Sequence, residues 1–398
     1  MDPRPRAAAP RAPAFHQFVL KIHSRCNLAC TYCYVYTMAD QRWKERPPRM
    51  PDAVIDAAVD RIAEHAHAHD LPRVDISLHG GEPLLAGPRA VARCVRRLRA
   101  RVPVPVRAAM QTNGVLLNDE WLRVLRRLGV SISVSLDGGA AANDRRRVDH
   151  RGRGSHDRVA AALRLLGQPA YRALYSGLLC TIDLRHDPVA TYGALLAHHP
   201  PAVDFLLPHG NWGRPPPGRV RGDPATPYGD WLVAVFDRWY GAPRRETRVR
   251  LFEELLHTLL GGRSAVEGVG RTPRGSVVVE TDGSIEHSDV LGSAAEGAGA
   301  TGLWVQRDPF DAVFAVPHPL GPGGAATEPA PACRTCTALA SCGGGLHAHR
   351  YDPATGFANP SVYCPDLFRL VGHLRARLAA DLARLAPAAR DPDLSPNV

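Results

Sequence analysis

Short runs of β-branched and other apolar residues recur through the first half of the chain, each closing on polar or glycine-containing positions. The runs are "HQFVLKIH" (16–23), "RVDISLHG" (73–80), "VRAAMQTNG" (106–114), "VSISVSLDG" (130–138), "LYSGLLCTID" (174–183) and "AVDFLLPHG" (202–210), and they read as six strands. Between them the pattern turns helical at 52–70, 88–100, 118–128, 156–167 and 189–198. Asp52, Asn118 and Asp187 are placed to start helices, and Pro88 stands near the first turn of another. Repeated strand–helix units predict a parallel sheet with right-handed crossovers. Six units fall short of the eight that close a TIM barrel. The expected fold is therefore α/β, a partial (β/α)6 TIM-like barrel over 16–210, with its chemistry at the C-terminal ends of the strands.

Beyond the barrel the pattern changes. Residues 210–225, "GNWGRPPPGRVRGDPA", are rich in Pro and Gly, and 211–270 reads as a linker followed by helices at 225–240 and 246–261. "SVVVETDGSIEHSDV" (276–290) reads as a hairpin turning at Asp282-Gly283. A Pro/Gly-rich stretch at 318–331 precedes a second group of cysteines, and a helix over 364–386 follows. These parts are expected to form a second domain over 271–386, with a disordered lead-in at 1–15 and a tail at 387–398.

Composition narrows the setting. A chain of 398 residues is long enough for a well-buried core and more than one domain. No run of apolar residues is long enough to span a membrane, and the N-terminus lacks the apolar stretch of a secretory signal. Nine cysteines without an export signal point to a reducing, cytoplasmic setting and to metal or redox chemistry rather than disulfides. The net charge of +10 is carried almost wholly by arginine, with Lys21 and Lys44 the two lysines. That bias reads as a solvated basic surface suited to an acidic peptide, not as a nucleic-acid or membrane surface.

Two cysteine groups carry the chemistry. Cys26, Cys30 and Cys33 follow the first strand with spacing C-x3-C-x2-C, and Tyr32 sits between the last two. A structural zinc needs four protein ligands. An iron–sulfur cluster held by three thiolates leaves one iron for a small molecule. Cys333, Cys336 and Cys342 form the second group, with Cys364 further on. Four thiolates suit either zinc or a cluster, so on residues alone a zinc-stabilised binding protein stays open. Cys94 and Cys180 fit small buried hydrophobes. His347 and His349 read as polar residues near a cluster or substrate.

The first group, with "HGGEP" (79–83), "QTNG" (111–114) and "SVSLDG" (133–138), resembles the radical S-adenosylmethionine (SAM) enzymes. The resemblance implies a [4Fe-4S] cluster on Cys26, Cys30 and Cys33, with SAM on the fourth iron. It also implies a SAM site formed by Tyr32, Gly80, Gly81, Glu82, Pro83, Asn113, Ser135 and Asp137, and an electron donor such as a flavodoxin or ferredoxin. The second group resembles part of a SPASM domain, the auxiliary-cluster module of peptide-modifying members. Leu346 and Ser288 stand where that module has cysteines for its inner cluster. One auxiliary [4Fe-4S] cluster is therefore expected, on Cys333, Cys336, Cys342 and Cys364.

"CNLACTYCYVY", "FLLPHGNW", "CGGGLHAHRY" and "NPSVYCPDL" further resemble the FxsB-like maturases. Those enzymes join an aromatic ring to the β-carbon of a residue two positions later in a ribosomally made precursor peptide, forming a cyclophane. Asp289, after Ser288, is then the expected acceptor of the ring proton. A sulfatase-type maturase oxidising Cys or Ser is the alternative within the resemblance, and there a full set of auxiliary cysteines is expected. About 15 residues before the first strand are too few for a leader-binding module, so a separate leader-binding protein is a possible partner.

Overall fold

Strand β1 (Gln17–His23) lies at the centre of a ten-stranded sheet of order β10-β9-β8-β1-β2-β3-β4-β5-β6-β7. The computed structural model describes residues 13–264, 266–271, 275–317 and 328–385. Residues 1–12 of the expected lead-in, 318–327 of the Pro/Gly-rich stretch and the expected tail lie outside the described residues.

Each of the next five strands is parallel to its predecessor: β2 (Val74–Gly80), β3 (Val106–Thr112), β4 (Ser131–Ser135), β5 (Tyr175–Thr181) and β6 (Ala202–Leu206). Alternation sets what each strand shows to its two sides. In β1 and β2, Phe18, Leu20, Ile22, Val74, Ile76 and Leu78 are buried against the helices, while Lys21, Ser77 and His79 take the opposite face. In β4, Ile132 and Val134 are buried, and Ser131, Ser133 and Ser135 alternate with them. The outer layer follows the helical pattern closely: α2 (Asp52–Ala68), α3 (Pro88–Arg101), α4 (Asp119–Arg127), α6 (His156–Leu166) and α7 (Pro188–Leu196). Asn118 and Asp187 act as N-caps, accepting from the amides of Trp121 and Ala190. Asp52 is the first residue of α2, one position inside the cap.

Three differences from the sequence pattern shape the site. The hairpin of β8 (Ser276–Val279) and β9 (Ser284–Glu286), turning at Gly283 with φ 93°, joins the barrel sheet. Strand β8 runs parallel to β1, with Phe18 beside Val277, so a strand distant in sequence covers the β1 edge. The helix expected from 246 starts at Arg250, because Arg248 and Val249 first pair with Ala202 and Val203 as β7. Ordered chain begins before β1: Phe15 is buried and stacks on Phe314 with ring centroids 4.5 Å apart. After the barrel, α8 (Pro227–Tyr240), α9 (Arg250–Leu259) and α11 (Cys364–Leu385) pack together. β10 (Ala300–Trp304) completes the sheet edge. Among the described residues no helix is long and apolar enough to cross a membrane.

Candidate active site

The loop after β1 carries Cys26, Cys30 and Cys33, and the single turn α1 (Tyr34–Thr37) follows it. Three side-chain ties hold this loop to the barrel. Tyr32 Oη donates to Asp137 Oδ2 at 2.5 Å and accepts from buried Arg147 at 2.7 Å. Asn113 Nδ2 donates to Asn27 Oδ1 at 2.8 Å and approaches Cys26 Sγ at 3.5 Å. Tyr36 Oη donates to Ser24 O at 2.9 Å. Burial pushes the Cys26 thiol up to about 12 and Cys30 to about 11. A thiol held protonated this way must give up its proton to solvent before it can ligate a metal.

Below the loop, the turn after β2 is pressed against the chain around β1. A Cβ on Gly80 would meet His23 O at 2.1 Å, and one on Gly81 would meet Tyr36 Oη at 1.8 Å. Pro83 opens a short helical turn, Pro83–Ala86, and is buried. Glu82 is fully buried: Oε1 accepts from Leu84 N and Thr112 Oγ1, and Oε2 from Asn113 N. Burial raises its carboxyl and these three donors oppose the rise. Glu82 thus ties β2 to the end of β3. Ser135 Oγ accepts from Gln111 Nε2 at 3.0 Å, and Asp137 Oδ1 accepts from Thr181 N.

A cavity of about 440 Å³ runs along these strand ends. Cys26, Cys30 and Cys33 line one end with Tyr32, Gly80, Gly81, Asn113 and Ser135. The apolar part of the wall includes Leu179, Phe205, Leu207, Val269, Leu346 and Leu367. Tyr34, His79, His209 and His349 line it too. His79 Nδ1, His209 Nδ1 and His349 Nε2 are buried without a partner. Burial lowers all three histidines, His209 to about 4.

Asp289 stands beside this wall. Its Oδ2 accepts from Tyr34 Oη at 2.6 Å and lies 3.5 Å from Lys21 Nζ, whose other partner is Glu280 at 2.8 Å. Burial alone would raise the Asp289 carboxyl, but Lys21 and the Tyr34 hydroxyl hold it down at about 2. Sequence reasoning passed over Lys21, Tyr34, Arg147 and His209. The isolation of Lys21 in an arginine-rich chain was the one available signal; nothing marks Arg147 within "DRRRVD".

The second cysteine group converges as well. Cys333, Cys336, Cys342 and Cys364, from two turns, α10 (Leu339–Cys342) and the start of α11, line one pocket with Leu339, Ser361 and Phe368. Among the described residues the group with ligand atoms within 4.8 Å of one another is His65, His69 and Asp311. No three of the four auxiliary sulfurs come that close. A tetrahedral zinc with bonds of about 2.3 Å requires sulfurs closer than this, whereas a four-iron cluster holds them wider. The turns Asp289–Ser293 and His347–Arg350, which follow Ser288 and Leu346, pack on each other, and Leu291 and Ala348 form a small apolar cluster with Val290, Ala298 and Phe357.

Residues 20–172 match the Radical SAM superfamily. The chain is 28% identical over 415 residues to a serine-type anaerobic sulfatase-maturating enzyme of Klebsiella aerogenes, covering 97% of this chain and 90% of that one. It is 27% identical over 286 residues to a cysteine-type anaerobic sulfatase-maturating enzyme of Clostridium perfringens, covering 70% and 75%. In fold it is similar to native anSMEcpe with bound AdoMet and Cp18Cys peptide, with a TM-score of 0.79 and 22% identity over 93% of this chain and 99% of that one. SuiB of Streptococcus suis, bound to precursor peptide SuiA, gives a TM-score of 0.55 and 12% identity over 88% and 76%.

Proposed function

We propose that this radical SAM enzyme, which uses a [4Fe-4S] cluster and SAM, is a peptide maturase that forms a carbon–carbon crosslink of the FxsB-like cyclophane type. An enzyme of this superfamily is not a zinc-held binding module, so that alternative falls. The observation that carries the reading is that Tyr34, which lines the same cavity as the three cysteine thiols, donates at 2.6 Å to the Asp289 carboxylate behind it.

Cys26, Cys30 and Cys33 would hold the first cluster, and Cys333, Cys336, Cys342 and Cys364 one auxiliary cluster. Bound at the first site, the reduced cluster and SAM supply a 5′-deoxyadenosyl radical. The apolar wall of Leu179, Phe205, Leu207 and Leu346 excludes water from a substrate radical. The deoxyadenosyl radical would take a β-hydrogen as 5′-deoxyadenosine, the β-carbon would add to the ring, and the ring would regain aromaticity by giving one electron to the auxiliary cluster that Cys333, Cys336, Cys342 and Cys364 would hold and one proton to a base. Asp289, already ionised and oriented by Tyr34, accepts that proton. The reading of a single auxiliary cluster rests on Ser288 and Leu346, which offer no thiolate for a second one. An electron donor such as a flavodoxin or ferredoxin, and a separate leader-binding protein, complete the expected partners.

A second reading, oxidation of a Cys or Ser to an aldehyde, is favoured by likeness to the sulfatase-maturating enzymes along almost the whole chain. Ser oxidation and crosslinking both remove two hydrogens, so mass alone does not separate them. Fragmentation does. A crosslinked product resists cleavage between the ring residue and its partner and does not react with hydrazides. A product that fragments throughout and traps a hydrazide supports the sulfatase-type reading instead.

A further inference from the structure

We propose that Lys21 is a positioning residue for Asp289, fixing its carboxylate against Tyr34 beside the cavity and keeping it unprotonated. The inference rests on the base role given to Asp289 above. Lys21 stands on the face of β1 away from the helices, opposite His79 in the β1–β2 register. Its side chain is 7% exposed, and its ammonium bridges Glu280 at 2.8 Å and Asp289 at 3.5 Å. Glu280 is shared with Arg46 at 3.0 Å, and Arg46 also binds Glu286. Lys21 is therefore the link between the buried ion network of the hairpin and the acid beside the cavity.

The groups acting on Asp289 come from β1, α1, β2 and the chain after β6. They are Lys21 of β1, Tyr34 of α1, His79 of β2 and His209 after β6, with Glu280 reached through Lys21. Tyr34 is neutral and donates. His79 and His209 are kept neutral by burial. Lys21 is thus the cation that balances a carboxylate already taken out of water. A charge pair at this separation is worth several powers of ten in the ionisation of a buried acid. Without Lys21, burial dominates and Asp289 takes up a proton. A protonated Asp289 cannot accept one from a ring.

Infrared spectra of the intact, cluster-loaded protein between about pH 5 and about pH 8 read this directly, without peptide. Lys21→Met is expected to show a protonated-carboxyl band at the acid end that the native enzyme lacks. Because Glu280 loses the same cation, the comparison is made on a Glu280→Gln background: there the Lys21→Met/Asp289→Asn double variant loses that band, and Lys21→Arg never develops it. If Lys21→Met fails to fold, Lys21→Gln removes the charge while keeping a hydrogen bond at position 280 and carries the same comparison. No new band in the charge-removing variant, or a band that survives in the double variant, overturns the proposal. The crosslinking role fails separately: an Asp289→Asn enzyme that still forms product removes the base but leaves the infrared result intact.

Discussion

At Asp289 two physical effects oppose each other. Burial favours the protonated acid, while Lys21 and the Tyr34 hydroxyl favour the carboxylate, and the carboxylate wins. Asp289→Asn keeps the shape and removes the basicity. With peptide bound, this variant is expected to keep releasing 5′-deoxyadenosine while product formation falls about 10²–10⁴-fold, read by mass spectrometry of both. His209 titrates in the opposite sense. Its folded-state pKa, about 4, lies below the 6.5 of an exposed histidine, so the native state prefers it neutral. Its stabilising contribution is complete above about 6.5 and drains away as pH falls toward about 4. Urea midpoints at successive pH values should therefore drop across that window, and His209→Phe should flatten the drop. Such partnerships were only partly legible in the sequence. Asp289 could be singled out beside Ser288, but Tyr34 and Lys21 come from segments more than 250 positions away, and no local pattern announces that pairing.

Helices and strands were far easier to foresee, because their periodicity is local. The sequence pattern places α2, α3, α4, α6 and α7 within a few residues of their observed bounds. The hairpin was visible too, through its Asp-Gly turn, but its docking beside β1 was not. That docking depends on an exposed strand edge rather than on anything within 276–290. The same non-local logic supports the auxiliary site. Asp366, in the first turn of α11, accepts from the amides of Tyr228 and Gly229 and so caps α8, with Arg219 at 3.5 Å. Both side chains of this ion pair are 1% exposed. Replacing Asp366 with Ala leaves Arg219 uncompensated and two helix amides open. Stability is expected to fall by about 3–5 kcal/mol in denaturant unfolding. Because Cys364 begins the same helix, iron at the auxiliary site should be lost first.

Across the molecule, two cysteine groups far apart in sequence meet at two separate pockets, one at the strand ends and one under the start of α11. About eight irons per chain are expected from two four-iron clusters, falling to about four when Cys26, Cys30 and Cys33 are all changed to Ala. Elemental analysis showing zinc at the second site, or about twelve irons, would contradict this count. The groups themselves were legible because thiolate spacing is a short-range signal. The cavity joining Cys33 to Tyr34, His79 and His209 was not, since it exists only once β1, β2 and β6 share one sheet. The claim that this cavity serves ring chemistry is tested most directly with a precursor peptide carrying a ring-deuterated aromatic residue, incubated anaerobically with enzyme, SAM and reductant. Crosslinking predicts a product lighter by about three mass units, one hydrogen from the β-carbon and one deuterium from the ring. A product that is oxidised yet keeps every ring deuterium would contradict the account.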